Sequence, residues 1–74
     1  MKPGNIEKIE ITKEQFKDIR LKLELSQAKF ARVLGLKVRQ VGRIENGESS
    51  LTKTIQILSV LLYREITDLN YFNQ

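Results

Sequence analysis

Residues 25–47 read LSQAKFARVLGLKVRQVGRIENG, and the spacing within them decides the architecture. Ser26 is placed to cap a helix, because its hydroxyl can accept from the unpaired N–H groups of a first turn. Phe30, Ala31 and Leu34 then fall on one helical face and predict an inward stripe. Gly35 suits the left-handed conformation that ends many helices. Leu36 opens a second segment, which predicts a helix to about Asn46 with Val41 and Ile44 inward and Gly47 as its terminator. With so few residues between them, the two helices must cross steeply. Such a crossing needs a small residue where the backbones approach, and Ala31 is that residue.

The outer face of the second helix follows from 100° per residue. With Val41 and Ile44 inward, Arg39 and Arg43 lie nearly opposite, flanked by Gln40 and Gly42, and Lys37 and Val38 occupy the exposed tip. Arginine can grip O6 and N7 of guanine with two hydrogen bonds, glutamine can do the same to adenine, and an aliphatic tip can touch a thymine methyl. Val38, Arg39, Gln40 and Arg43 therefore have the chemistry of base reading in a major groove.

Outward from this centre the chain predicts more helices. Thr12 with Gln15 fits a capping box, and Ile11 and Phe16 fit the hydrophobic staple around it. Phe16, Ile19 and Leu23 continue one apolar stripe, with Leu21 off it. After a polar loop at residues 47–51, Ile55, Leu58 and Leu62 predict the buried stripe of a fourth helix. Ile66, Leu69 and Phe72 suggest a short fifth one. Residues 1–11 read as an arm, in which IEKIEI alternates enough for a short strand. Residues 12–74 read as one domain. The fold class expected is all-α, a compact five-helix domain.

Composition narrows the function. A chain of 74 residues leaves room for one core, and it holds no cysteine and no histidine. Disulfides, Cys/His zinc sites and histidine acid–base chemistry are thereby excluded. With no paired carboxylates and no phosphate-cradling glycine loop in a plausible site, the sequence predicts no enzyme, no metal and no cofactor. Neither a signal peptide nor an apolar run of the roughly 20 residues needed to span a bilayer is visible, so a cytoplasmic location is the default expectation. Lys and Arg outnumber Asp and Glu by 13 to 9. That excess alone fits an ordinary solvated surface, but its distribution says more. Residues 29–43 carry Lys29, Arg32, Lys37, Arg39 and Arg43 and no acid, which points to a polyanion partner for that face.

LSQAKFARVLGL followed by VGRIENG resembles the helix-turn-helix of the phage-repressor and Cro group, the XRE-like family. Ser-Gln at the start of the first helix, small Ala31, the turn Gly35 and the closing Ile-Glu-Asn-Gly carry the likeness, which extends from about Thr12 to Leu69. It implies a lambda-repressor-like domain that binds double-stranded DNA as a transcriptional regulator. Such a regulator usually binds a near-palindromic operator as a homodimer, formed at least on DNA. By the same resemblance, Gln27 would hydrogen-bond a backbone phosphate, and Lys29 would help to anchor the backbone. Asn46 and the loop into the fourth helix, with Ser50, Lys53 and Thr54, would hold the flanking phosphates. Arg20 and Glu45 match a largely buried ion pair of the family. Tyr63, Ile66, Tyr71 and Phe72 either close the small core or form an exposed apolar patch for dimerisation.

Three departures from the family pattern stand out. Lys37 replaces the usual capping Ser or Thr, a loss of about 1 kcal/mol, and is a candidate phosphate anchor instead. Gly42 interrupts the second helix at a cost of up to about 1 kcal/mol, for close approach to DNA or by simple tolerance. The loop after Gly47 lacks the usual proline and is one residue short. Two functions remain: a repressor occupying an operator, or an interaction module such as an antitoxin that captures a partner protein. Arg39, Arg43 and the acid-free stretch favour the first.

Overall fold

The chain enters its first helix through a complete capping box. Thr12 Oγ1 accepts from the Gln15 N–H at 3.1 Å, and Gln15 Oε1 accepts from the Thr12 N–H at 2.9 Å. The computed structural model describes residues 8–72, with side chains described as far as Thr67. Its helices are α1 (Lys13–Lys22), α2 (Gln27–Leu34), α3 (Val38–Glu45) and α4 (Lys53–Phe72).

Four helices replace the five expected, because α4 continues without a break for 20 residues. Nothing between Arg64 and Phe72 is a glycine or proline, so no residue there interrupts the backbone ladder. The alternation at residues 6–11 does not produce a strand within the described residues; 9–11 are irregular coil. Leu58 is also misplaced by the spacing, being 43% exposed, while Ser59 is fully buried. The inward stripe of α4 runs Ile55, Ser59, Leu62, so one turn buries a hydroxyl instead of an isobutyl group. That hydroxyl donates to the Ile55 carbonyl at 2.7 Å, which satisfies it inside its own helix.

The core is formed by Phe16, Phe30, Ala31, Val41 and Ile44, with Ile11, Ile19, Leu25, Leu34, Leu36, Leu51, Ile55 and Leu62 packed around them. Phe16 of α1 and Phe30 of α2 meet with ring centroids 5.1 Å apart at 46°, a favourable tilted arrangement. Ala31 of α2 is buried in the same core as Val41 and Ile44 of α3. Leu21, expected off the stripe, is exposed. Tyr63 and Ile66 are half-buried, whereas the side chains of Leu69, Tyr71 and Phe72 lie outside the described residues.

Candidate nucleic-acid interface

Ser26 starts α2 as its spacing requires, its Oγ accepting from the Lys29 N–H at 3.1 Å. Gly35 ends the helix with φ +74°. The Leu36 N–H then returns to the Ala31 carbonyl at 2.8 Å, turning the chain sharply into α3. Lys37 supplies no side-chain cap to α3. The vacancy is half filled from inside the helix, since Gln40 Oε1 accepts from the Lys37 N–H at 3.0 Å. Gln40, placed by sequence among the base readers, thus already uses its amide oxygen once at the helix start, and its N–H groups and a second lone pair remain for another partner. At the far end Asn46 is the C-cap, and Gly47 turns the chain with φ +80°.

The inner side of α3 is closed by a polar joint as well as by Val41 and Ile44. Arg20 Nε and Nη2 donate to the two Glu45 oxygens at 2.6 and 3.1 Å, and Arg20 Nη1 donates to the Leu25 carbonyl at 3.0 Å. Gln27 Nε2 adds a donor to Glu45 Oε1 at 3.0 Å. The side chains of Arg20 and Glu45 are only 11% and 3% exposed. Burial by itself would push the Glu45 carboxyl up. The hydrogen bonds from Arg20 and Gln27, with the attraction of Arg20 and Lys17, outweigh it and hold the carboxyl below its ordinary value. Gln27, expected to reach a phosphate, thus first serves this joint. Its amide also lies against Gly42, where an added Cβ would meet Gln27 Oε1 at 3.8 Å, an ordinary contact. Packing does not demand glycine at position 42.

The outer side of α3 is its opposite. Val38, Arg39, Gln40 and Arg43 are all exposed on it. Among the described residues Arg39 has no hydrogen bond or ion pair. Arg43 has a single loose one, to Glu48 at 3.9 Å between two exposed side chains. Lys29, Lys37, Asn46, Ser50 and Thr54 are exposed as well. Lys53 is exposed, and its Nζ donates to the Ile9 carbonyl at 2.6 Å, which ties the arm to the start of α4.

Several working residues gave no signal in the sequence. Thr52 caps α4, its Oγ1 accepting from the Ile55 N–H at 3.3 Å. Gln56 accepts from the Ile11 N–H at 3.0 Å and donates to the Leu51 carbonyl at 2.8 Å. Glu24 takes φ 59° in the α1–α2 turn, a position that favours glycine. Thr52 follows the polar loop directly, so its cap is visible in retrospect; Gln56 and Glu24 depend on where other segments arrive.

The assembled surface is a short helix held from behind, with two exposed arginines in front, one of them without a partner among the described residues and the other in a single loose ion pair. Among the described residues no helix is long and apolar enough to cross a membrane. No curated protein and no solved structure is a match. A helix-turn-helix family model (HTH_3) matches residues 16–61, which contain α2, the Gly35 turn, α3 and the joint behind them. By that match and this geometry, the chain belongs to the Cro/C1-like branch of the helix-turn-helix family of DNA-binding regulators.

Proposed function

We propose that the protein is a sequence-specific transcriptional repressor that occupies a near-palindromic operator as a homodimer. Two copies of α3 would enter successive major grooves about 34 Å apart on one face of the duplex. The observation that carries this reading is the pair Arg39 and Arg43, exposed together on the outer face of a helix whose inner face is fully engaged. Arg39 and Arg43 set the sequence preference, and Val38 supplies an apolar contact at the helix tip. Lys29, Lys37, Asn46, Ser50 and Thr54 hold the backbone. Gln27 and Lys53 join them by redirecting side chains that otherwise bind Glu45 and Ile9.

A groove between α1 and α4, lined by Ile11, Ile19, Val60 and Tyr63 among others, supports the dimer contact. The same groove supports the other reading, capture of a partner protein such as a toxin. Selection of bound sequences from a random duplex pool at near-physiological salt separates them. Two related half-sites one helical turn apart are expected. Weak, salt-sensitive binding with no enriched sequence would overturn the repressor and favour the partner-capturing module.

A further inference from the structure

A cationic stripe on α1 reaches the end of α3. At 100° per residue, Lys13, Lys17 and Arg20 fall within about 60° of one another on α1. Arg20 is bound into the joint with Glu45, and Lys17 attracts the same carboxylate from further off. Lys13, one turn beyond, extends past the joint and lies over the Gly47 turn. Its Cδ and Cε would be 3.6 Å, and its Nζ 2.8 Å, from a Cβ placed on Gly47. Gly47 has no Cβ, so the lysine stem lies against bare backbone there. The ammonium group itself has no hydrogen bond or ion pair among the described residues. It does not cap α3, because no carbonyl of the helix end accepts from it.

The dimensions of α3 say what lies in front of that ammonium. A helix of 8 residues is about 12 Å long, and the major groove is about 12 Å wide. When the outer face of α3 enters the groove, the turns at its two ends would lie beside the phosphates that border it. Lys37 stands at the first end. At the second stand Asn46, the Gly47 turn and Lys13. We infer that Lys13, from the first turn of α1, is a DNA-backbone anchor that grips a phosphate at the C-terminal end of α3. The assignment rests on the DNA-binding reading of α3 and brings α1 into the interface beside α2, α3, the loop after α3 and the start of α4.

The test is the salt dependence of binding to a mixed-sequence 20-base-pair duplex, for the wild type, Lys13→Met and Lys22→Met. Methionine at position 13 keeps an unbranched stem over Gly47 and removes only the charge. Each phosphate neutralised contributes about −0.9 to the slope of log K against log salt. Lys13→Met should therefore flatten the slope by about 0.9 and leave the melting temperature unchanged. Lys22, paired with Asp18 further along α1, should flatten nothing when replaced. A wild-type slope in Lys13→Met would overturn the anchor while leaving DNA binding intact. A lowered melting temperature with the slope unchanged would make Lys13 a helix-end support instead. Absence of any salt-dependent binding by the wild type would overturn the DNA-binding reading and the anchor with it. Lys13→Arg keeps the charge and should restore the slope.

Discussion

The two sides of α3 use the same side chains to opposite ends. Behind the helix, Arg20 and Gln27 converge on Glu45 and every buried polar side-chain atom among the described residues has a partner. In front, Arg39 and Gln40 are exposed, and apart from the glutamine oxygen used at the helix start neither side chain has a partner among the described residues. A guanidinium surrounded by carboxylate and carbonyl oxygens is scaffold. The same group left without an acceptor on an exposed face is free to take one from a partner. The contrast teaches that residue type does not separate structure from function here; the supply of acceptors does.

The contrast breaks most severely at its buried side. Arg20→Ala or Glu45→Ala leaves one charge of the pair inside without its partner, and should cost about 3–5 kcal/mol in urea denaturation. Acid should weaken the same joint in the wild type. The Glu45 carboxyl is held below its ordinary value of 4.5. Its contribution is therefore complete above that ordinary value and is lost as the pH falls through the lowered folded one. Glu45→Gln should remove that part of the acid sensitivity in a pH series of melting curves.

On the exposed side the same chemistry should behave in the reverse manner. Arg43→Ala should change stability by no more than about 0.5 kcal/mol. Discrimination at one base position should fall by about 1–3 kcal/mol in competition binding against single-base operator variants. An unchanged preferred sequence would remove Arg43 from the reading face. Gln27→Ala tests the boundary between the two sides. It deletes one donor to Glu45 but leaves both from Arg20, so denaturation should register about 1 kcal/mol. The smallest effect expected is a gain: Glu24→Gly relieves a left-handed backbone at φ 59° and should stabilise by up to about 1 kcal/mol.

Much of the first three helices was legible because their signals are local. Thr12 with Gln15, Ser26, and the Phe30–Ala31 and Val41–Ile44 spacings depend on residues within a few positions of one another, and all take the predicted roles. The fourth helix was less legible. Ser59 rather than Leu58 faces inward because the rotation of α4 is set by its contact with α1 and α2, not by its own composition. The site divides in the same way. The exposure of Arg39 and Arg43 follows from the position of Val41 and Ile44. The engagement of Gln27 with Glu45 and of Lys53 with Ile9 joins residues 18 and 44 positions apart, and no spacing rule reaches that far.

Gln56 has a consequence for how the protein opens. Its one amide receives the Ile11 N–H and gives a hydrogen to the Leu51 carbonyl, so the entry to α1 and the loop before α4 share a fastening. A carboxylate has no hydrogen to give at neutral pH, and an aliphatic chain has neither function, so neither Glu nor Leu at position 56 could serve both segments. When that side chain swings away, both segments lose it at once. The Ile11 amide should then exchange with solvent at a rate set by excursions of a loop some 40 residues further along the chain.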